Sequence, residues 1–410
     1  MVHEDNRLSE KVIWCLTTLL LASFYIFNLN TIGSLILLCI TFLIFIISAG
    51  QNHMKIKFRL SMFHVMVFSF ALFCLVSSIW AWNAKYAIEK GITILELLVC
   101  MSVLYAHYSK YDSIKQLVDA ILWAGYIVTI YTFLYDGLET VLYALSSGTR
   151  LGSSFANINN IAMFSAITIV IAVFKALHSK KWVTIETFLA LPSIVLVAAS
   201  GSRKALVLMC MGVILVYMAK NTGKNIFSSI FKWMILLVVA FFVIRLLLQL
   251  PIFSTVTERM ESMFAMFTGT GKVDHSALLR KKFVRIGIEQ FKQTPIIGIG
   301  IGNPRLLALR YTGHNCYLHN NFAELLAGGG IIGFCLFYGM YAYNIYWLLR
   351  FRNYQTGYVS VCIVLILSCI AMDYGAVSYY FKDTYFYLMM YFLFVNILKK
   401  NSTNYTKKRW

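Results

Sequence analysis

Charge is scarce in this sequence. Asp, Glu, Lys and Arg together make up 13% of the 410 residues, against 60% hydrophobic and 16% aromatic. An ordinary soluble domain carries about a quarter charged residues, so that class is excluded. Acidic groups are scarcer still, 17 against 36 Lys and Arg, which leaves a formal charge of +19. Metal-binding spacings are also missing. There is no Cys-x-x-Cys, no His-Glu-x-x-His and no Asp-x-Asp cluster. His314 and His319 are five residues apart and would fall on different sides of a helix, so no metal site is expected. Of the nine cysteines only Cys316 lies in the long polar stretch near 251–318, which leaves it without an evident disulfide partner. The glycines at 328–330 follow no strand, so a nucleotide-binding loop is not indicated either.

What the chain does have is long apolar runs: 11–29, 31–49, 60–81, 114–135, 161–178 and 229–250 each reach the roughly 18 residues needed to cross a bilayer. They predict an all-α polytopic membrane protein with about 12 transmembrane helices and one long extracytoplasmic loop. The first run follows a charged stretch but is long, has no small-residue cleavage site and is followed at once by a second run, so it reads as a retained helix. Alternate loops, among them "HMKIKFR", "KALHSKK" and the tail "KKNSTNYTKKRW", hold roughly 20 Lys and Arg, against about 6 in the short loops on the other side. This asymmetry predicts cytoplasmic N- and C-termini. It also explains the positive charge as a topology signal and not as a nucleic-acid surface. Four segments follow: N-terminal helices (1–136), central helices with outer-face motifs (137–250), the long loop with an amphipathic helix (251–318), and C-terminal helices with a basic tail (319–410).

Polar stretches at 137–160, 199–204 and 251–318 fall on the outer side. Within the last, "SALLRKKFVRIGIEQFKQTP" predicts a helix capped by Asp274 or Ser276 and stopped before Pro295. At about 100° per residue, Lys281, Lys282, Arg285, Glu289 and Lys292 share one face, and Leu279, Phe283, Ile286, Gly287 and Phe291 the other. Arg280 falls among the apolar residues. It either points into the protein toward an anion or sends its long stem out to solvent. "AASGSRKALVLM" puts Arg203 at a helix start, where it is either an interfacial anchor or, with Ser200, Ser202 and Lys204, part of an anion-binding corner. In "TRLGSSFANINNIAMF", Asn159 or Asn160 is the expected helix cap, and Arg150 has no structural explanation.

The stretch "HNNFAELLAGGGIIG" (319–333) places His319 at the head of a span, with Asn320 and Asn321 as caps and Glu324 one turn inside. An ionisable group at that depth indicates function or a buried partner. Imidazole is the side chain suited to accept a proton near neutral pH, although a lone interfacial histidine is also often structural. The glycines at 328, 329, 330 and 333 cost helix propensity and are expected to allow close backbone packing against another helix.

These residues resemble the O-antigen polymerases and ligases of bacterial surface-polysaccharide assembly. The resemblance rests on His319-Asn320 with Gly330 and Gly333 beginning eleven residues on, and on Arg280 followed fifteen residues later by "PIIGIGIGN". It rests also on "SGSR" (200–203) and on "FANIN" (155–159), where Ile158 replaces the usual proline. It spans roughly residues 140–340, while the first five spans match in hydropathy alone. The resemblance implies a glycosyltransferase type C-like architecture and an inverting, metal-independent transfer of undecaprenyl-diphosphate-linked glycan at the outer face of the cytoplasmic membrane, with no cofactor. It implies His319 as base, Arg203 and Arg280 on the diphosphate with Arg285 and Arg150 in second rank, and Asn320, Glu324 and Asn159 in support. A chain-length regulator and a flippase are the implied partners, with membrane lipid around the spans. A polymerase is the preferred reading and a ligase acting on lipid A-core or protein the alternative. A flippase or transporter is less favoured, since no internal repeat is visible and the charged candidates collect at one surface.

Overall fold

The computed structural model describes residues 2–27, 32–51, 60–110, 114–147, 149–179, 184–220, 242, 246, 249, 275–351 and 356–407. Every regular element among them is a helix. Among the described residues six helices are long and apolar enough to span a bilayer: Leu8–Ile26, Ile32–Gln51, Met62–Ile79, Ile114–Tyr135, Ile158–Ser179 and Asn321–Arg350. Ile185–Ala199 and Gly357–Asp373 are apolar but shorter. Five of the six apolar runs in the sequence coincide with these spans, whereas the sequence predicts about twelve helices in all. The run at 229–250 lies outside the described residues except at 242, 246 and 249. So does the loop 251–274, including the expected cap Asp274.

The chain forms two compact units, each assembled from segments distant in sequence. The first comprises 1–40, 115–273 and 352–368. At its centre is α7 (Ile158–Ser179), whose residues are buried on nearly every side. It packs against α9 (Leu191–Ala199) and α10 (Arg203–Lys220). Apolar residues fall on every face of α7, interrupted only by Ser165, Thr168 and Lys175 between 161 and 177, as expected for a helix without a solvent face. One ionic cluster crosses this packing: Lys175 Nζ lies 2.9 Å from Asp119 Oδ1 and 3.2 Å from Glu186 Oε1. The Tyr126 hydroxyl adds a bond to the Glu186 carbonyl at 2.7 Å. A half-buried lysine with two carboxylates keeps its charge compensated, and deleting either side would leave an ion stranded.

The second unit comprises 41–114, 274–351 and 369–410. It contains α3 (Met62–Val76), α4 (Ala84–Tyr108), α11 (His275–Gln293), α12 (Pro304–Thr312), α13 (Asn321–Arg350) and α15 (Lys382–Lys407). Its central feature is a break in α13. Gly330 has φ 59° and ψ −160°, which interrupts the helical hydrogen-bond ladder. The interrupted amides are taken up by another segment: Ile331 N–H donates to Pro295 O (2.8 Å) and Ile332 N–H to Ile296 O (3.2 Å). In return Ile299 N–H donates to Ala327 O (3.0 Å). The expected close packing of the glycines is therefore divided. Gly333 lies against the Phe73 ring of α3 and Gly329 between that ring and Ile301, whereas Gly328 and Gly330 meet the 295–304 segment, which is not another spanning helix.

The turn after α3 completes this arrangement. Ser77 Oγ accepts from Ile301 N–H (3.1 Å), Trp80 Nε1 donates to Ile297 O (3.3 Å), and Trp82 N–H donates to Ile299 O (3.3 Å). Asn303, fully buried, closes a two-way pair with the Asn83 backbone at 2.7 and 3.2 Å.

A Cβ at position 330 would stand 2.4 Å from the Ile296 backbone and would require an unfavourable positive φ. Gly330→Ala is therefore expected to cost about 2–4 kcal/mol. It should lower the thermal midpoint of the detergent-solubilised protein, while Gly152→Ala, where nothing lies within 4 Å, should leave it unchanged.

Candidate functional site

The second unit places His319 directly ahead of α13. Its φ of 55° is the only left-handed one among described non-glycine residues. Strain of this kind persists only where neighbours over-determine the backbone, and the neighbours are identifiable. Asn320 is the N-cap, its Oδ1 accepting from Ala323 N–H (2.8 Å) and its Nδ2 donating to Tyr374 O (3.0 Å). The half-buried imidazole lies between the Tyr317 ring (4.4 Å between centroids) and Phe283 of α11 (5.8 Å, near-parallel). Asn321, the other expected cap, is instead the first helical residue and is buried in a separate polar network.

Glu324 is 4% exposed, and its Oε2 accepts from the Leu318 N–H at 2.8 Å. The carboxylate thus holds the backbone immediately before His319. Two cations carry charge that bears on it, Lys90 and Arg305. Lys90, half-buried on α4, sits with Nζ 3.4 Å from the centroid of the Tyr380 ring. A cation over an aromatic face in a desolvated setting gains about 1–2 kcal/mol. Arg305, at the start of α12, lies over Tyr86 (4.7 Å) and donates Nε to Asn315 Oδ1 at 2.8 Å.

Amphipathic helix α11 folds as its periodicity predicts. Lys281, Lys282, Arg285, Glu289 and Lys292 are exposed, while Phe283, Ile286 and Gly287 are buried. Phe283 and Ile286 join Ile299, Leu307, Leu318, Ala323 and Ala327 in one apolar cluster. Arg280 is half-buried, and its charge reaches the Tyr317 hydroxyl. Burial raises the Tyr317 phenol above its usual range, with Arg280 acting in the opposite sense. Burial likewise raises the neighbouring Cys316 thiol, which disfavours a nucleophilic thiolate there. Arg285 is on the exposed face, its Nε 2.8 Å from Glu289 Oε1.

The first unit holds the remaining candidates. Gly201 (φ 59°) turns α9 into α10, and Ser200 Oγ both donates to Val197 O (2.7 Å) and accepts from Ser202 N–H (3.1 Å). Arg203 and Lys204 are half-buried at the head of α10. Arg150 comes to the same turn: its Nε donates to Ser200 O (3.2 Å), next to a Leu151 N–H bond to Ala199 O (2.9 Å). A guanidinium on the last carbonyls of a helix is favoured by the helix dipole, which supplies the structural role that the sequence left unexplained. The cap of α7 is a correction. Neither Asn159 nor Asn160 fills it, because the helix begins at Ile158, and Asn157 Oδ1 accepts from Asn159 N–H at 3.0 Å.

Sequence reasoning missed Lys90, Arg305, Tyr380, Asp373 and the turn Ser77–Asn83. Lys90 had a legible signal, a cation seven residues beyond Asn83 at the edge of an apolar run. The others had none: Asp373 meets Asn321 and Tyr338 from 52 and 35 residues away, and the partners of the turn are more than 200 residues away.

Residues 188–338 match the family model described as O-Antigen ligase. The matched region includes Arg203, Arg280, His319, Glu324 and Gly330, while Lys90, Arg150 and Asn159 lie before it. This supports an assignment to the O-antigen polymerase and ligase family. Together with the apolar helices it indicates a multi-pass bacterial membrane protein. No curated protein gives a match to the chain.

Asn157→Ala should destabilise the protein by about 1 kcal/mol through loss of the α7 cap. Asn159→Ala should have no such effect, and thermal unfolding of the two variants side by side distinguishes them.

Proposed function

From a chain whose residues 188–338 are of the O-antigen ligase type, we propose a membrane glycosyltransferase that polymerises undecaprenyl-diphosphate-linked repeat units into O-antigen or capsular polysaccharide. The reaction takes place at the outer face of the cytoplasmic membrane, with both chain termini cytoplasmic. The observation that carries this reading is the constellation around His319, most of which, Lys90 excepted, falls inside the matched region. It comprises an imidazole held at positive φ, a buried carboxylate behind it, and half-buried cations at Arg280, Lys90 and Arg305 in the same unit.

His319 takes the proton of the acceptor hydroxyl as that oxygen attacks the anomeric carbon of the donor sugar from the face opposite the diphosphate. The carbon–oxygen bond to phosphate breaks, and its electron pair leaves with the diphosphate. The anomeric configuration inverts. Arg280, with Lys90 and Arg305, offsets the negative charge that develops, the largest contribution a site of this type makes. Arg203, with Arg150 beside it, is proposed as a diphosphate-binding corner of the first unit. Glu324 and Asn320 hold the backbone around His319, and Asn159 lines the head of α7. Arg285 contributes least, because Glu289 already occupies its guanidinium. A chain-length regulator and a flippase are the proposed partners.

The second reading, transfer of a finished glycan to lipid A-core or protein, is favoured by the match to an O-antigen ligase family. Purified protein given only its own lipid-linked repeat unit separates the two. A ladder of longer lipid-linked products supports the polymerase, and no ladder from folded protein supports the ligase.

His319→Ala should lower turnover by at least about a hundredfold with the protein still folded; unchanged polymer length would refute the base assignment. Arg280→Ala is expected to cost roughly tenfold or more, against less than about twofold for Arg285→Ala, in the same gel assay. Arg203→Lys should impair product formation if the guanidinium makes paired bonds to phosphate, and wild-type activity would reduce Arg203 to an interfacial anchor.

A further inference from the structure

One buried polar network in the second unit takes no part in the chemistry above. Asn321 is fully buried, and both ends of its amide are occupied. Nδ2 donates to the Tyr338 hydroxyl (2.9 Å) and to Asp373 Oδ2 (3.2 Å), and Oδ1 accepts from Ser378 N–H (3.0 Å) and Tyr379 N–H (3.3 Å). Asp373, 1% exposed, also accepts from the Tyr338 hydroxyl on Oδ2 (2.9 Å) and from the Ser378 hydroxyl on Oδ1. Two side chains at the ends of different helices thus hold the segment 374–381 by three bonds, and further bonds tie the two to each other and to Tyr338.

Each end of that segment reaches a group in the proposed site. At one end Tyr374 O accepts from the Asn320 side chain, the residue after His319. At the other, Tyr380 lies under the Lys90 ammonium, and its neighbour Tyr379 is fixed through its carbonyl by the Tyr385 hydroxyl at 2.8 Å. A buried network of this kind serves either stability or geometry. Here the segment it holds meets Asn320, next to the strained His319, and carries Tyr380 beneath Lys90, which favours geometry. We infer that Asn321 and Asp373 are positioning residues. Through segment 374–381 they set the His319 backbone and the Tyr380–Lys90 pair together, so that the base and one cation keep a fixed relation. This inference rests on the reading of His319 as the base.

The donor and acceptor pattern suggests a test. Asp373→Asn keeps shape but turns an acceptor into a donor facing other donors, and Asn321→Asp does the converse by setting two carboxylates face to face. In the combined Asn321→Asp/Asp373→Asn protein the carboxylate, now at position 321, accepts from the amide at 373, from Tyr338 and from the two backbone N–H groups. The amide oxygen at 373 accepts from Ser378. Most of the bonds are therefore retained in the exchanged pair.

The experiment measures kcat and KM for lipid-linked repeat unit with the purified full-length chain, and hydrogen exchange of the same samples. Each single variant should lower kcat by at least about tenfold with KM within about twofold. The double variant should regain most of the loss, which a role in global stability alone would not predict for kcat at constant KM. Wild-type kcat in a folded single variant, or a double variant no better than the singles, overturns the inference. If the single variants do not fold, Tyr338→Phe removes one hydroxyl and should lower kcat by roughly threefold to tenfold at constant KM; no change overturns the inference. If the wild type itself forms no product from lipid-linked glycan, the functional reading has failed. Hydrogen exchange then decides the network: Asp373→Asn should expose 317–322 and 374–381 together while 304–312 stays protected, and unchanged exchange overturns the coupling.

Discussion

The second unit depends on one constraint: a helix that breaks in an apolar setting must find new partners for its freed amides. In α13 the break at Gly330 is satisfied by the carbonyls of Pro295 and Ile296, and Ala327 O takes the Ile299 N–H in exchange. Unsatisfied backbone groups at membrane depth cost several kcal/mol each, so the segment 295–303 and the first third of α13 form a single piece. The turn 77–83 is bonded to that piece from the other side. Residues separated by more than 200 positions in the chain are thereby fixed around the head of α13.

That rigid base explains how His319 can keep a left-handed backbone. Glu324 secures the Leu318 amide from within the helix, Asn320 caps the helix while gripping Tyr374, and Phe283 and Tyr317 flank the ring. The cost of the conformation, roughly 1–3 kcal/mol, is offset by contacts that would be lost if the residue relaxed. Function and fold are then coupled through the same few bonds. The proposed base is positioned by the elements that close the helix break, and the cations Lys90 and Arg305 are carried on helices that adjoin the same break.

The first unit uses a different device. Its α7 is buried on nearly all sides, and its one charged residue, Lys175, stands near an end. One end has the Lys175, Asp119 and Glu186 cluster, and the other has the Asn157 cap with the turn joining α9 to α10 nearby through Arg150 and Leu151. Arg150 on the final carbonyls of α9 shows how a residue with a legible charge but no legible partner acquires a structural role once the chain is folded.

By itself the sequence determined what depends on local chemistry: five of the apolar spans, the amphipathic face of α11, the exposed row from Lys281 to Lys292, and His319 at the head of a helix. Each follows from hydropathy or helical periodicity within a few turns, and the family match over 188–338 accords with the motifs read there. Only the tertiary structure decided which asparagine caps which helix, since Asn157, Asn159 and Asn160 differ by a fraction of a turn. It alone decided that the glycines at 328 and 330 receive a loop, and that Lys90, Arg305, Asp373 and Tyr380 join the surroundings of His319. Those placements depend on backbone groups satisfied across long stretches of chain, and hydrogen-bond partners chosen at that range leave no periodicity in the sequence.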